Sequence, residues 1–303
     1  MQKITVVIPT YRHKNRIEDL LDLIRSLTKA SNLEYIHEVL VVDNGNSLDK
    51  EPKYFELFSC KKIKIIDEPR IGLNYARNTG VANASSEIIA FLDDDVVIAP
   101  AWAESIVSGH CDSDILCVGG PVIIRNQKLR YPHWFSDYFL RFLLPPSFPV
   151  ASGPLRSPYF LIGANMSFKK KAFTAYGLFD PDLDRKGKNL LSNGDIEFII
   201  RIPHGLIKYE SQAVAIEKIK ENRLTRYFSV RRIFWQGISD AIMVKKRGVD
   251  HFYDKKEIFF TPHFIKEWVS TSIKGNFFEA FCRLVRLFSY RYEAIVLLFK
   301  KAR

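Results

Sequence analysis

The sequence predicts an α/β protein: a mostly parallel central sheet flanked by helices, with a helical C-terminal extension. Three observations point there. Apolar, β-branched runs of strand length alternate with stretches of helical spacing as far as residue 95, the rhythm of strand–helix–strand crossovers. These runs are nearly continuous rather than alternating, as in strands buried on both faces. Three of them end in polar clusters, and open α/β sheets bind ligands beyond the carboxyl ends of their strands.

Residues 3–9, Lys-Ile-Thr-Val-Val-Ile-Pro, form the first strand and run on into Thr10-Tyr11-Arg12. Residues 14–28 put Ile17, Leu20, Leu21, Ile24 and Leu27 on one side of a helix. Glu38–Asp43 is a second strand ending on an acid, after which Asn44-Gly45-Asn46 turns the chain. Lys62–Asp67 is a third strand, Gly72–Asn83 a helix and Glu87–Leu92 a fourth strand, closed by Asp93, Asp94 and Asp95. From Gly119 the rhythm breaks. Residues 126–158 hold six prolines and read as a long connection, often a lid or an acceptor-side loop. Helical spacing returns over Tyr227–Lys246 and Phe277–Phe299.

Composition sets the class. At 47% hydrophobic, 13% aromatic and 26% charged residues, a soluble globular protein is expected. No run approaches the roughly 18 apolar residues of a membrane span, and Met1 leads straight into a strand, so no signal peptide is expected. Cys60, Cys111, Cys117 and Cys282 form no CxxC pair; buried free thiols in a reducing cytosol are the expectation. The net charge is +11. Residues 218–303 carry 19 Lys/Arg against 8 Asp/Glu, the whole excess, so the first 217 residues are neutral overall. Such a basic tail suits anionic lipid, nucleic acid or an acidic protein. No RRM, KH, zinc-finger or helix-turn-helix signature accompanies it, so nucleic acid is not an expected partner.

The three adjacent aspartates carry the chemistry. Two like charges in contact repel by about 1 kcal/mol in water and several times that near a protein surface. A hard divalent ion shared with a substrate diphosphate would relieve that repulsion; a solvated acidic turn is the alternative for the triplet alone.

Taken in order, several segments resemble the family 2 glycosyltransferases with the GT-A fold, of bacterial cell-surface glycan type, over residues 3–241. They are Thr5-Val6-Val7-Ile8-Pro9-Thr10-Tyr11, Val41-Val42-Asp43-Asn44-Gly45-Asn46-Ser47, Gly72-Leu73-Asn74-Tyr75-Ala76-Arg77-Asn78-Thr79-Gly80 and Phe91-Leu92-Asp93-Asp94-Asp95. Gly163-Ala164-Asn165-Met166-Ser167-Phe168, Gly177-Leu178-Phe179-Asp180, Gly194-Asp195-Ile196-Glu197-Phe198 and Arg223-Leu224-Thr225 follow, then Arg231-Arg232 with Phe234-Trp235-Gln236-Gly237. The resemblance implies a metal-dependent, inverting transfer of sugar from a nucleotide sugar to an acceptor hydroxyl, in cell-surface polysaccharide or glycolipid synthesis. It implies a catalytic domain over residues 1–220, with a nucleotide half (1–118) and an acceptor half (119–220), and a basic helical region over 221–303. Asp93 and Asp95 would hold Mn or Mg, with Glu217 where many relatives carry a histidine. Pro9, Thr10, Tyr11, Arg12, Asp43, Arg77 and Asp94 would line the nucleotide-sugar site. Asp195 would be the general base, and Asn165, Glu197 and Trp134 would face the acceptor. Read without the resemblance, Asp195 is first a helix cap and Trp134, Tyr159 and Trp235 are first core aromatics, while Asp43 has the alternative of a strand-end turn residue. Gly194 stands where relatives carry Glu, which motivates the alternative of a catalytically inactive nucleotide-sugar or glycan-binding module.

In the C-terminal segment, Phe277, Phe281, Leu284, Phe288, Tyr292, Ile295 and Phe299 recur at three- and four-residue steps, with Arg283, Arg286, Arg291, Lys300, Lys301 and Arg303 between them. A basic amphipathic helix of this kind suits an anionic membrane surface and a lipid-linked acceptor. A cytoplasmic protein attached peripherally to the inner face of the cell membrane is the expected setting.

Overall fold

The structure is a computed structural model that describes residues 2–11, 17–45, 60–124, 130–143, 151–155, 161–248 and 261–300. By internal contacts the chain divides into two compact units: Met1–Arg125 with Pro146–Pro181 and Phe198–Lys218, and Asn126–Pro145 with Asp182–Glu197 and Ile219–Arg303.

The first unit is built on an eight-stranded sheet. Strands β1 (Ile4–Thr10), β2 (Ile36–Asn44), β3 (Ile63–Glu68) and β4 (Ile88–Leu92) match the four predicted runs. In the order β3-β2-β1-β4 they are all parallel. Alternate residues feed opposite cores, as a continuous apolar run requires. Ile4, Val6 and Ile8 join Val39, Val41, Ile88 and Ala90 on one face; Val7 joins Leu40, Val42 and Phe91 on the other. Helix α1 (Ile17–Leu27) lays Leu20, Leu23, Ile24 and Leu27 on the first face. Helix α2 (Ala30–Leu33) leads into β2, and α3 (Leu73–Asn83) follows β3. At Gly80 in α3 a Cβ would lie 2.3 Å from Val7 Cγ1, so the missing side chain lets the helix sit directly on β1.

Past β4 come β5 (Val96–Ile98), α4 (Trp102–Gly109), β6 (Cys117–Gly119), β7 (Val122–Ile124), α5 (Asp137–Leu140) and β8 (Gly153–Pro154). Then β9 (Asn165–Lys169) runs antiparallel to both β4 and β6. After α6 (Lys170–Tyr176) and α7 (Gly194–Ile199), β10 (Ile207–Tyr209) completes the sheet as β3-β2-β1-β4-β9-β6-β10-β8. β11 (Ala215–Glu217) forms a second sheet between β5 and β7. These short strands of the second half were not predicted: at two to five residues they are too short to show a period. A Phe cluster (Phe91, Phe168, Phe173, Phe179, Phe198) fills the second core with ring centroids 4.7–6.2 Å apart.

The second unit is helical. Helices α8 (Arg226–Arg247) and α10 (Phe277–Lys300) match the predicted pair, and α9 (Pro262–Ile273) was not predicted. Thr225 Oγ1 caps α8 by accepting the Phe228 N–H at 3.2 Å, and Thr261 caps α9 in the same way, with Pro262 in its first turn. α8 and α10 cross closely at Gly237, where a Cβ would meet Ser289 Oγ at 2.0 Å and Arg286 O at 2.4 Å. Two expectations are corrected. Arg283 and Arg286 are not on a solvent-facing basic face: they are 8% and 1% exposed, because Glu279 and Asp240 neutralise them. Cys111 is exposed and Cys60 half-buried; only Cys117 and Cys282 are buried thiols.

Candidate active site

The carboxyl ends of β1, β2 and β4 meet at one rim because of strand register. Thr10 pairs with Asp43 across β1 and β2, and Val7 with Phe91 across β1 and β4. Three residues beyond that second pair, Thr10 Oγ1 donates to Asp94 Oδ2 at 2.9 Å. Thr10, Asp43, Asp94 and Asp95 are buried and Asp93 is half-buried. Pro9 is buried against Val42 in the strand pair. Gly45, at φ 78°, would bring a Cβ within 3.3 Å of the Tyr11 ring, so that ring lies along the turn after β2. Arg12 and Tyr159 lie outside the described residues.

Hydrogen bonds hold this rim. Asn44 donates to Arg70 O at 2.7 Å and Glu68 O at 3.4 Å, and accepts the Gly72 N–H at 2.8 Å. The Arg70 hydrogen bonds to Glu68, 2.9 and 2.7 Å, outweigh burial and with Thr79 pull that carboxyl down to about 2. Arg77 in α3 is 2% exposed, donates to Asn74 Oδ1 at 3.0 Å and lies 5.5 Å above the Phe179 ring. Asn74 and Asn78 bond the Asp180 and Phe179 carbonyls, which ties the helix flanking the rim to the Gly177–Asp180 segment.

Glu217 comes to the same corner through β11. It pairs with Val96, the residue after the triad, and with Ile124 of β7. Among the described residues no three Asp, Glu, His or Cys side chains gather as a ready cage for a cation.

In the second unit, Asp195 is half-buried in the first turn of α7, where its Oδ1 accepts the Ile196 N–H at 2.8 Å. The residues expected to face the acceptor have work inside the fold. Asn165 is 0% exposed; it accepts from Trp102 Nε1 at 2.8 Å and donates to Ala213 O and Pro121 O at 2.7 and 3.1 Å. Glu197 is 0% exposed and ion-paired to Arg247. Trp134 packs edge-on against Phe135, Phe139 and Phe278 at 5.0–5.5 Å.

Sequence reading missed Asn193 and Asp240, and read Arg286 only as part of the basic C-terminal helix. Asp240, 0% exposed, pairs with Arg286 at 2.7 Å, and its Oδ1 accepts from Gln236 at 2.7 Å and Asn193 at 3.0 Å. One signal existed: Asp240 is the single acid of the 22-residue helix α8.

A parallel sheet with its acids collected at one carboxyl rim is the build of a nucleotide-handling α/β domain. The chain belongs to glycosyltransferase family 2: the family described as Glycosyl transferase family 2 matches residues 5–177, more than half of the chain. Curated relatives include a glucosyl-dolichyl phosphate glucuronosyltransferase of Haloferax volcanii, 29% identical over 80% of this chain and 77% of its own length. A pre-mycofactocin glycosyltransferase of Mycobacterium tuberculosis is 24% identical over 80% of this chain, which spans only 48% of that protein. The fold is similar to that of a solved mannosyltransferase, PcManGT of Pyrobaculum calidifontis, in complex with GDP-Man and Mn2+. The TM-score is 0.60 at 17% identity, over 97% of this chain and 87% of that one. GalNAc-T7 with UDP, GalNAc and Mn2+ matches at TM-score 0.54 and 16% identity, over 91% of this chain and 51% of its own. The GT-A fold expected from the sequence is the fold observed.

Proposed function

We propose that this chain moves a sugar from a nucleotide-sugar donor to an acceptor hydroxyl, with a divalent cation, Mn or Mg, and with inversion at the anomeric carbon. The observation that carries the reading is the common rim of β1, β2 and β4, where Thr10, Asp43 and the Asp93–Asp95 triad converge in a family 2 chain. The GDP-Man and Mn2+ held by PcManGT, and the UDP, GalNAc and Mn2+ held by GalNAc-T7, support the donor class and the metal.

The donor set fits such an ion. Asp93, Asp95 and the register-paired Glu217 offer only carboxylate oxygens, the hard ligands that Mg and Mn prefer. A site of one or two carboxylates completed by substrate phosphates needs no protein cage. Bound there, a divalent ion would act as a Lewis acid toward the leaving diphosphate. Asp43 accepts hydrogen bonds from the nucleotide base; Pro9, Thr10, Tyr11 and Arg77 shape the pocket around it, and Thr10 orients Asp94. Asp195 takes the acceptor hydroxyl's proton as its oxygen bonds the anomeric carbon and the bond from that carbon to the diphosphate oxygen breaks. One displacement, with no enzyme nucleophile, inverts the centre.

The acceptor is a glycan or a lipid-linked glycan of the cell surface, a reading supported by the dolichyl phosphate in the name of the Haloferax relative. The second unit suits an anionic membrane surface. Phe277, Phe281, Phe288, Tyr292 and Phe299 are 53–72% exposed on α10, and Ile265, Val269 and Ile273 are exposed on α9 beside Lys266 and Lys274. No helix among the described residues is long and apolar enough to cross a membrane.

The purified protein, given Mn or Mg and a panel of UDP- and GDP-sugars, should release nucleoside diphosphate only with metal present. Asp95→Ala should weaken metal-dependent nucleotide binding in titration calorimetry. Asp195→Asn should lower transfer by roughly 10²–10⁴-fold while donor affinity holds; transfer at the parent rate would remove Asp195 as base. Tight donor binding with no turnover would select the inactive binding module that Gly194 suggests.

A further inference from the structure

Asp195 follows a turn that long-range side-chain contacts hold in place. Asn193 has φ 72° and Asp184 φ 64°, in the left-handed region that Asn and Asp enter more readily than other residues with a side chain. Residue type permits this turn, and contacts from elsewhere fix it. Here they come from side chains distant in sequence. The Gly194 N–H donates to Asp184 Oδ1 at 3.2 Å. The Ser192 N–H donates to Ser239 Oγ at 3.0 Å, and Ser192 Oγ to Gln236 Oε1 at 2.9 Å. The Asn193 amide donates to Asp240 Oδ1 at 3.0 Å and accepts from Gln236 Nε2 at 2.9 Å. Asp240 is in turn held by Arg286 of α10, whose Nε donates to Oδ2 at 2.9 Å.

The Asp240–Arg286 pair is itself unusual, at 0% and 1% exposure. Replacing a buried ion pair with well-packed apolar groups is often neutral or stabilising, so stability alone is a weak reason to keep one. This one ends on the residue that fixes the left-handed turn two positions before the candidate base. Gly194 supplies no side chain of its own to orient Asp195.

We propose that Asn193, Gln236, Asp240 and Arg286 are positioning residues for Asp195: helices α8 and α10 set the direction in which that carboxylate leaves the turn. The inference rests on the reading of Asp195 as the base, and the experiment separates the two. Four full-length proteins are compared: the parent, Asn193→Ala, Asp195→Asn and the double variant. The donor is the one found by the UDP- and GDP-sugar panel, with nucleoside diphosphate release followed well below each unfolding temperature. Asn193→Ala should lower kcat about 10–100-fold, the scale of a misplaced catalytic group, with donor affinity within twofold of the parent. In the Asp195→Asn background it should add no further loss, because a residue acting only through Asp195 has nothing left to act on. Hydrogen exchange, which needs no turnover, should quicken at residues 195–197 of Asn193→Ala while the amides of β1 and β4 stay protected. Losses that multiply in the double variant, an unchanged kcat in Asn193→Ala, or unchanged exchange at 195–197 would each overturn the proposal. Parent-rate transfer by Asp195→Asn would instead overturn the base assignment, and the positioning role with it.

Discussion

Glu38 ties β1, β2 and β3 together through Thr5 and Lys64, and Glu68 ties β3 to α3 through Thr79. Burial alone would raise the Glu38 carboxyl, but hydrogen bonds from Lys64, Ser85 and Thr5 overcome it and hold the group at about 2. Arg70 and Thr79 do the same for Glu68, also at about 2 against an ordinary 4.5. Both folded values are depressed, so each carboxylate's stabilisation is complete above 4.5 and is lost as the pH falls toward 2. His110 adds to this from higher pH. Burial pulls it down from 6.5 to about 3, so the unfolded chain binds a proton across that window that the folded chain does not. The urea midpoint should therefore fall progressively as the pH drops below 6.5. Glu68→Gln should flatten that fall below pH 4.5 and lower stability at pH 7; an unchanged slope below pH 4.5 would show that Glu68 does not carry it.

At the scale of elements, α10 buries two arginines beside Cys282, Leu287 and Tyr290 and leaves a second, aromatic stripe exposed. Its spacing predicted an amphipathic helix, and one forms. Yet Arg283 and Arg286 turn inward to Glu279 and Asp240, while Phe277, Phe281 and Phe288 are 53–71% exposed. Spacing shows which residues share a stripe of a helix, not which stripe meets the neighbouring element. That was decided by an acid on α8 and by Gly237, which lets the two helices touch. Gly237→Leu should force them apart and destabilise the protein by about 1–3 kcal/mol, the usual range for overpacking, measured as a shift in urea midpoint without a change in m-value. The four leading strands were legible because each carries a run of apolar residues bounded by polar punctuation, weakest in β3, which lies largely exposed at the edge of the sheet. Strands β10 and β11, three residues each, are defined by their partners rather than by any pattern of their own.

Across the whole molecule, charge and exposed apolar surface coincide. The entire +11 belongs to residues 218–303, the part that also presents the exposed faces of α9 and α10. Each Lys or Arg near an anionic bilayer contributes about 1 kcal/mol of attraction, and the aromatic side chains add burial at the headgroup level. Co-sedimentation with phosphatidylserine vesicles should exceed that with phosphatidylcholine vesicles and fall with added salt. Phe281→Ser with Phe288→Ser should weaken it without shifting the unfolding temperature. Equal binding to both vesicle types, or no loss in the double variant, would end the membrane reading.

What the sequence by itself determined is local: strands built on near-continuous apolar runs, the acids that close them, and helices with a stripe every three to four residues. These follow from the chain's own periodicity and from turn chemistry, which act over neighbouring residues. Only the tertiary structure decided that Thr10 meets Asp94, that Glu217 lies in register beside Val96, and that Asp240 turns inward to Arg286 and Asn193. Such pairings join positions tens of residues apart. They are chosen because a buried polar group must find a partner wherever the folded chain brings one, and no local pattern encodes which partner that will be.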